Sequence, residues 1–241
     1  MAHPTSGKWL STFSFACTVY VFLLLIVGGS RGQAGSATTP FARLDPANTP
    51  SGYLARLLLN EVPFPGEWAY ESEMDSKTGM FQILWVLDCR IYHIPEGYTQ
   101  REVAGVHSDN IMDVITGAGG RRQCEGFYRD NQGQYVTADR VEERINNLLR
   151  IANSGGTPGH FSALINHAQG LARAYFKGGI RAADRYAGLK KIGAVPVTGH
   201  AFSWMTDIDA YDPGGNFVTI PDADNGSLGG NRFFTLRKYP K

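Results

Sequence analysis

The chain has 241 residues, 43% hydrophobic and 19% charged, a composition that excludes a disordered or fibrous protein. A formal net charge of +1 gives no sign of the basic stripe that nucleic-acid binders carry. About 200 residues suffice for one domain with a core that needs no staples, while 29 Gly and 12 Pro point to long loops over a scaffold.

In chain order, Lys8 precedes an apolar run from Phe13 to Val27, and small residues follow in "GGSRGQAGSA". That layout predicts a cleaved secretory signal over residues 1–34. The run is shorter than the roughly 20 residues of a spanning helix. An uncleaved anchor is the alternative, since the cleavage site only weakly resembles A-x-A. Either reading exports the working part to the periplasm, envelope or exterior, with the membrane touched only through this segment. Losing Lys8 and Arg31 takes the formal charge from +1 to −1.

Residues 35–51 read as a linker or N-terminal arm, and residues 52–241 as the working domain. A helix is expected in "SGYLARLLLNE", with Leu54, Leu57, Leu58 and Glu61 on one face and Pro63 and Pro65 as its stop. A second helix is expected over about Lys77 to Ile91, because Met80, Ile83, Leu84, Leu87 and Ile91 recur at three and four. Residues 92–135 are loop-like, with one short helix over 109–115. Asp139 with Glu142 forms a capping-box pattern opening a helix whose core face is Val141, Ile145, Leu148, Leu149 and Ala152, ended by Gly155. A further helix covers about Phe161 to Phe176, closed by Gly178 and Gly179, and a short one is expected in "IRAADRYAGLKKI". "VPVTGHAFSWMTD", "NFVTIPD" and "NRFFTLRKY" read as short strands between turns. The expected fold is one mainly helical α+β domain with a small C-terminal antiparallel sheet.

Cys17 lies in the signal run, which leaves Cys89 and Cys124 as a possible disulfide in an oxidising compartment. Two separate buried thiols are the alternative, because bridge geometry is demanding.

Glu61 stands out chemically. A carboxylate that shares an apolar helix face is costly unless protonated or paired, and a helix C-terminus is negative in partial charge. Both effects favour the neutral acid, the form a general acid needs to protonate a glycosidic oxygen. The competing reading turns Glu61 outward as a solvated surface acid.

The stretch "YLARLLLNE" followed by "GMFQILWVLDCR" resembles the opening of the SleB-like cell-wall hydrolase family, of the spore-cortex-lytic type. That family has an L-A-R-x-x-x-x-E helix, then a loop with a further acid, then a G-M-x-x-[IV]-x-x-V-x-x-x-R helix. Gly79, Met80, Ile83, Val86 and Arg90 stand at the matching positions. "IMDVITGAGGRRQCEGFY" is similar to the family's D-V-I…Q-F segment through Asp113, Val114, Ile115, Gln123 and Phe127, and "LGGNRFFTL" to its closing I-G-x-H-x-F-Y strand. The likeness touches most of residues 53–237, most specifically in the first forty. It departs from the pattern at Cys89, where the family has Asn, and at Asn231, where it has His. The loop between Glu61 and Gly79 is also long, and an ungapped alignment puts Glu71 in the catalytic place instead.

The resemblance implies a lysozyme-like fold and cleavage between N-acetylmuramic acid and N-acetylglucosamine, with Glu61 as catalytic acid. A lytic transglycosylase needs only that carboxyl group. A hydrolase needs a second acid, for which Glu67, Glu71 and Glu73 are candidates. No metal or cofactor is called for, and peptidoglycan strands are the expected partner. Trp68, Tyr70, Tyr128, Trp204 and Gln123 are candidate sugar contacts, aromatic rings combining contact area with a polar handle; simple packing is the competing role for each.

Other constellations are weaker. His160 and His167 lie seven apart without a His-Glu-x-x-His motif, and His200 stands alone. "DADNG" at 222–226 resembles part of a calcium loop but has Phe233 where a Glu is needed. Ser203 lacks a G-x-S-x-G setting. The alternatives to the enzyme reading are a non-catalytic envelope protein with a lysozyme-like binding groove, or a hydrolase using Cys124 with His93 or His107.

Overall fold

The computed structural model describes residues 41–117, 124–154, 159–178, 184–206, 214–221 and 227–239. The signal region, Gln123 and the 222–226 segment lie outside the described residues. No helix among the described residues is long and apolar enough to cross a membrane.

Helix α1, Pro50–Asn60, starts where the Thr49 side chain accepts the Gly52 N–H and Pro50 takes a first-turn position. Every residue from Gly52 to Leu59 is buried. A helix apolar on all sides belongs in the middle of a fold, and α1 packs against α2 (Glu73–Tyr92), α5 (Asp139–Ala152) and α6 (Gly159–Phe176). Its closest partner is α6, and one hydrophobic core runs through all four. The expected linker is a docked arm from Phe41 onward. Ala42 exchanges backbone hydrogen bonds with the Asn153 side chain. Asp45 holds Ser51, Gln169 and Arg173, and the hydrogen bonds from Arg173 and Ser51 draw its carboxyl down to about 2.

Helix α2 begins a turn earlier than the apolar spacing suggested. Ser72 accepts from Asp75 N–H, and Glu73 and Asp75 sit in the first turn, where acids meet the positive end of the dipole. In the stretch read as loop, Thr99 and Glu102 build a capping box for α3 (Gln100–Ala104), which ends on left-handed Gly105. Helix α4 follows at Ile111–Thr116, and β1 (Phe127–Arg129) pairs antiparallel with β2 (Tyr135–Thr137).

Two expectations are corrected. Helix α5 has no side-chain cap; its N-cap is Ala138, and Glu142 is drawn to the Arg56 guanidinium at 3.1 Å and to the Thr137 hydroxyl. The ion pair to a nearly buried arginine displaces the capping box. No helix forms over residues 184–192: Asp184 accepts its own neighbour Tyr186 N–H at 3.0 Å, a local turn that competes with helix. That stretch leads into the β3–β4 hairpin, Lys191–Ile192 with Val195–Pro196.

The C-terminal strands form as expected. β5 (Ser203–Thr206), β7 (Asn231–Leu236) and β6 (Phe217–Thr219) make an antiparallel sheet in the order β5-β7-β6. Trp204 pairs with Phe233 and Thr206 with Asn231, which puts Trp204 and Asn231 on the same face. Gly229 brings β7 against α2: a Cβ there would lie 2.7 Å from Gly79 Cα, and its N–H reaches Asp75 at 2.9 Å. The architecture is α+β, helices around a central helix with small antiparallel sheets.

Candidate functional site

Glu61 is the C-cap of α1, its N–H still bonded to Leu57 O at 3.1 Å. The buried helix delivers this carboxyl to the point where the chain leaves α1, against side chains of β5 and β7. From β5, the Trp204 indole N–H donates to one carboxyl oxygen at 3.0 Å; the Asn60 amide donates to the other at 3.2 Å. From β7, the Asn231 amide donates to the Glu61 backbone carbonyl at 2.5 Å and to Gly229 O at 2.9 Å. A helix-end carbonyl without an intrahelical partner is thereby satisfied.

Burial raises the Glu61 proton affinity more than the Trp204, Asn60 and Arg144 interactions lower it. The residue nevertheless keeps part of its surface accessible. Both neighbours are donors, so both favour the carboxylate and oppose the effect of burial. Dense surroundings with partial access are the setting in which a carboxylic acid stays protonated and usable.

The surrounding groups are fixed from several elements. Arg90, buried on α2, donates from Nε to Phe202 O at 2.7 Å and sets its guanidinium 5.2 Å from the Trp204 ring centroid. Burial lowers its proton affinity to about 10. Arg144 on α5 grips the Glu67 carboxylate through two nitrogens and donates to Val62 O at 3.0 Å. Glu67 also accepts Phe64 N–H at 2.8 Å. The loop leaving Glu61 is thus pinned at its start. Ala69, in that loop, has φ +66°, a left-handed conformation that costs a non-glycine residue about 1 kcal/mol.

Among the other candidate acids, Glu71 is exposed ahead of the α2 cap. Glu73 is held in its ionised form by Lys77, at 2.5 Å, and by His160, at 2.8 Å. It is a structural partner of a lysine and a histidine. Trp204 is brought to Glu61 directly. Tyr70 is half-buried in the loop beyond Ala69, and Tyr128 is half-buried on β1 with its carbonyl accepting the Tyr53 hydroxyl. Trp68 is 71% exposed, a free-standing ring on the same loop as Tyr70.

Cys89 and Cys124 are separate buried thiols, and the possible disulfide is not formed. Cys124 packs in the main core, close enough to Glu61 and Arg90 for their charges to act on it; Cys89 packs in a second cluster with Val103, Phe202 and Leu236. Burial pushes both thiols upward, which disfavours the thiolate a Cys124 nucleophile would need. Asn60, Arg144 and Asn231 were missed by sequence reasoning as parts of the site. Only Asn231 left a trace there, as the departure from the closing strand motif.

No family model matches the chain, and no curated protein and no solved structure is significantly similar to it.

Proposed function

We propose that the protein is an exported glycan-cleaving enzyme with Glu61 as its acid. More narrowly, its substrate is peptidoglycan, and it cuts between N-acetylmuramic acid and N-acetylglucosamine as a lytic transglycosylase. The observation that carries the reading is Glu61: a half-buried residue raised in proton affinity, its carboxyl held from both sides at the end of a buried helix. The order of the SleB-like motifs supports it. So does the placement of an acid at the end of a buried central helix, beside a small antiparallel sheet.

In the proposed reaction the neutral Glu61 carboxyl gives its proton to the glycosidic oxygen as the bond to the muramyl anomeric carbon breaks. The N-acetylglucosamine side leaves as an alcohol. The Glu61 carboxylate then takes the proton of the muramyl 6-hydroxyl while that oxygen bonds the anomeric carbon. The product is a 1,6-anhydro sugar, and Glu61 returns to its acid form. Trp204 and Asn60 stabilise the intermediate carboxylate, each as a donor. One carboxyl suffices, in keeping with Glu73 being occupied by Lys77 and His160. Trp68, Tyr70 and Tyr128 are the rings offered to sugar faces.

The test is release of soluble fragments from dye-labelled peptidoglycan by wild type, Glu61→Gln and Glu73→Gln. Activity in wild type and Glu73→Gln, with loss in Glu61→Gln, supports the assignment. Binding without release by wild type would replace it with the glycan-binding reading.

A further inference from the structure

Away from Glu61, three side chains from distant parts of the chain converge. Cys89 comes from the last turn of α2, Asp184 from the turn before β3, and His200 from the segment leading into β5. One donor atom of each, a thiol sulfur, a carboxylate oxygen and an imidazole nitrogen, lies within 4.8 Å of the other two. Cys89 and the Asp184 side chain are fully buried, while the His200 side chain keeps 26% of its surface.

We propose that Cys89, Asp184 and His200 form a zinc site, with a fourth position reached by solvent past His200. A soft thiolate, an imidazole and a carboxylate are the ligand types that Zn²⁺ takes in tetrahedral sites. Bonds of about 2.0–2.3 Å put tetrahedral ligand atoms about 3.3–3.7 Å apart. Closing on an ion therefore needs a contraction of about 1.5 Å at most from the 4.8 Å limit.

The surroundings suit a cation. The site lies at the C-terminal end of the 20-residue α2, whose dipole is negative there. Supporting contacts hold the ligands in place. Asp184 Oδ1 accepts Gln82 Nε2–H and Tyr186 N–H, each at 3.0 Å, leaving Oδ2 toward His200 Nδ1 at 2.9 Å. The His93 ring stacks on His200 with centroids 5.0 Å apart and so fixes its plane. A nucleophilic role for Cys89 fits less well, since a fully buried thiol offers no approach to a substrate.

An ion here would fasten the 184–202 segment to α2. His200 stands four residues before Trp204, so the fastening acts on the strand that holds Glu61. It is independent of whether Glu61 cleaves glycans.

The probe is Co²⁺ added to the chelator-treated full chain, followed by Zn²⁺ competition. One equivalent of Co²⁺ should give the intense visible bands of a four-coordinate ion and a thiolate-to-cobalt charge-transfer band. Zn²⁺ should abolish both. The charge-transfer band should vanish in Cys89→Ser and persist in Cys124→Ser, and His200→Ala should lower affinity at least about 100-fold. Gln82→Ala should lower it about 10-fold. Mass mapping of alkylation on partly unfolded wild type covers the case in which a variant fails to fold: Zn²⁺ should protect Cys89 and leave Cys124 unprotected. Absence of the bands, or their survival in Cys89→Ser, would overturn the site, as would equal alkylation with and without Zn²⁺.

Discussion

Replacing Trp204 by Phe isolates one interaction at Glu61. The substitution keeps an aromatic ring beneath the Arg90 guanidinium and removes the indole N–H that donates to the carboxyl at 3.0 Å. A hydrogen bond to a charged acceptor contributes about 1.5–3 kcal/mol net, and partial access to water places this one at the lower end. That donor stabilises the carboxylate more than the acid, so its loss raises proton affinity further. About 1.4 kcal/mol corresponds to a tenfold displacement of the equilibrium, so the Glu61 titration should move upward by about one pH unit. Carbon-13 NMR of glutamate-labelled protein reads this directly, with Glu61→Gln identifying the resonance. If Glu61 is the acid, the limb of the activity profile that reports its loss should move with it. An unmoved or lowered titration would refute the account of how the site is tuned.

Other consequences follow from the same geometry. Since burial raises Glu61 in the folded state, its favourable contribution is complete below the unfolded carboxyl value and is lost as pH rises through the folded one. Glu61→Gln should therefore melt higher than wild type at pH 8, with the gap closing toward pH 4; a gap independent of pH contradicts this. Gly79→Ala should destabilise by about 1–3 kcal/mol in urea unfolding, because the new Cβ would lie 2.8 Å from Gly229 Cα. Unchanged stability would mean that the contact between α2 and the turn before β7 gives way easily. Ala69→Gly should stabilise by about 0.5–1 kcal/mol by relieving the left-handed φ, and an unmoved or lowered urea midpoint would contradict that strain.

The helical frame could be read from residue order because its signals are local. Leu54 to Glu61 ran in a pattern that Pro63 had to stop, and Val141, Ile145, Leu148 and Ala152 marked the inward face of α5. The C-terminal strands showed in their Phe, Val and Thr content. What escaped depends on partners far away in sequence. Glu142 was expected to complete a capping box with Asp139, but Arg56, 86 residues earlier, claims it. The helix expected near residue 184 gives way to a turn closed by the Asp184 side chain. Glu61 and Trp204 were each singled out, yet the 143-residue separation between them hid the hydrogen bond that joins them. Cys89, Asp184 and His200 carry no spacing motif at all. His200 looked isolated until the turn brought Asp184 beneath it.

The most direct test of the central claim is mass spectrometry of muropeptides released from purified peptidoglycan by wild type and Glu61→Gln under identical conditions. The account expects 1,6-anhydro-muramyl products from wild type and none from the variant. Reducing-end products would turn the proposal from transglycosylase to hydrolase, and the same anhydro products from Glu61→Gln would contradict the assignment of Glu61 as the acid.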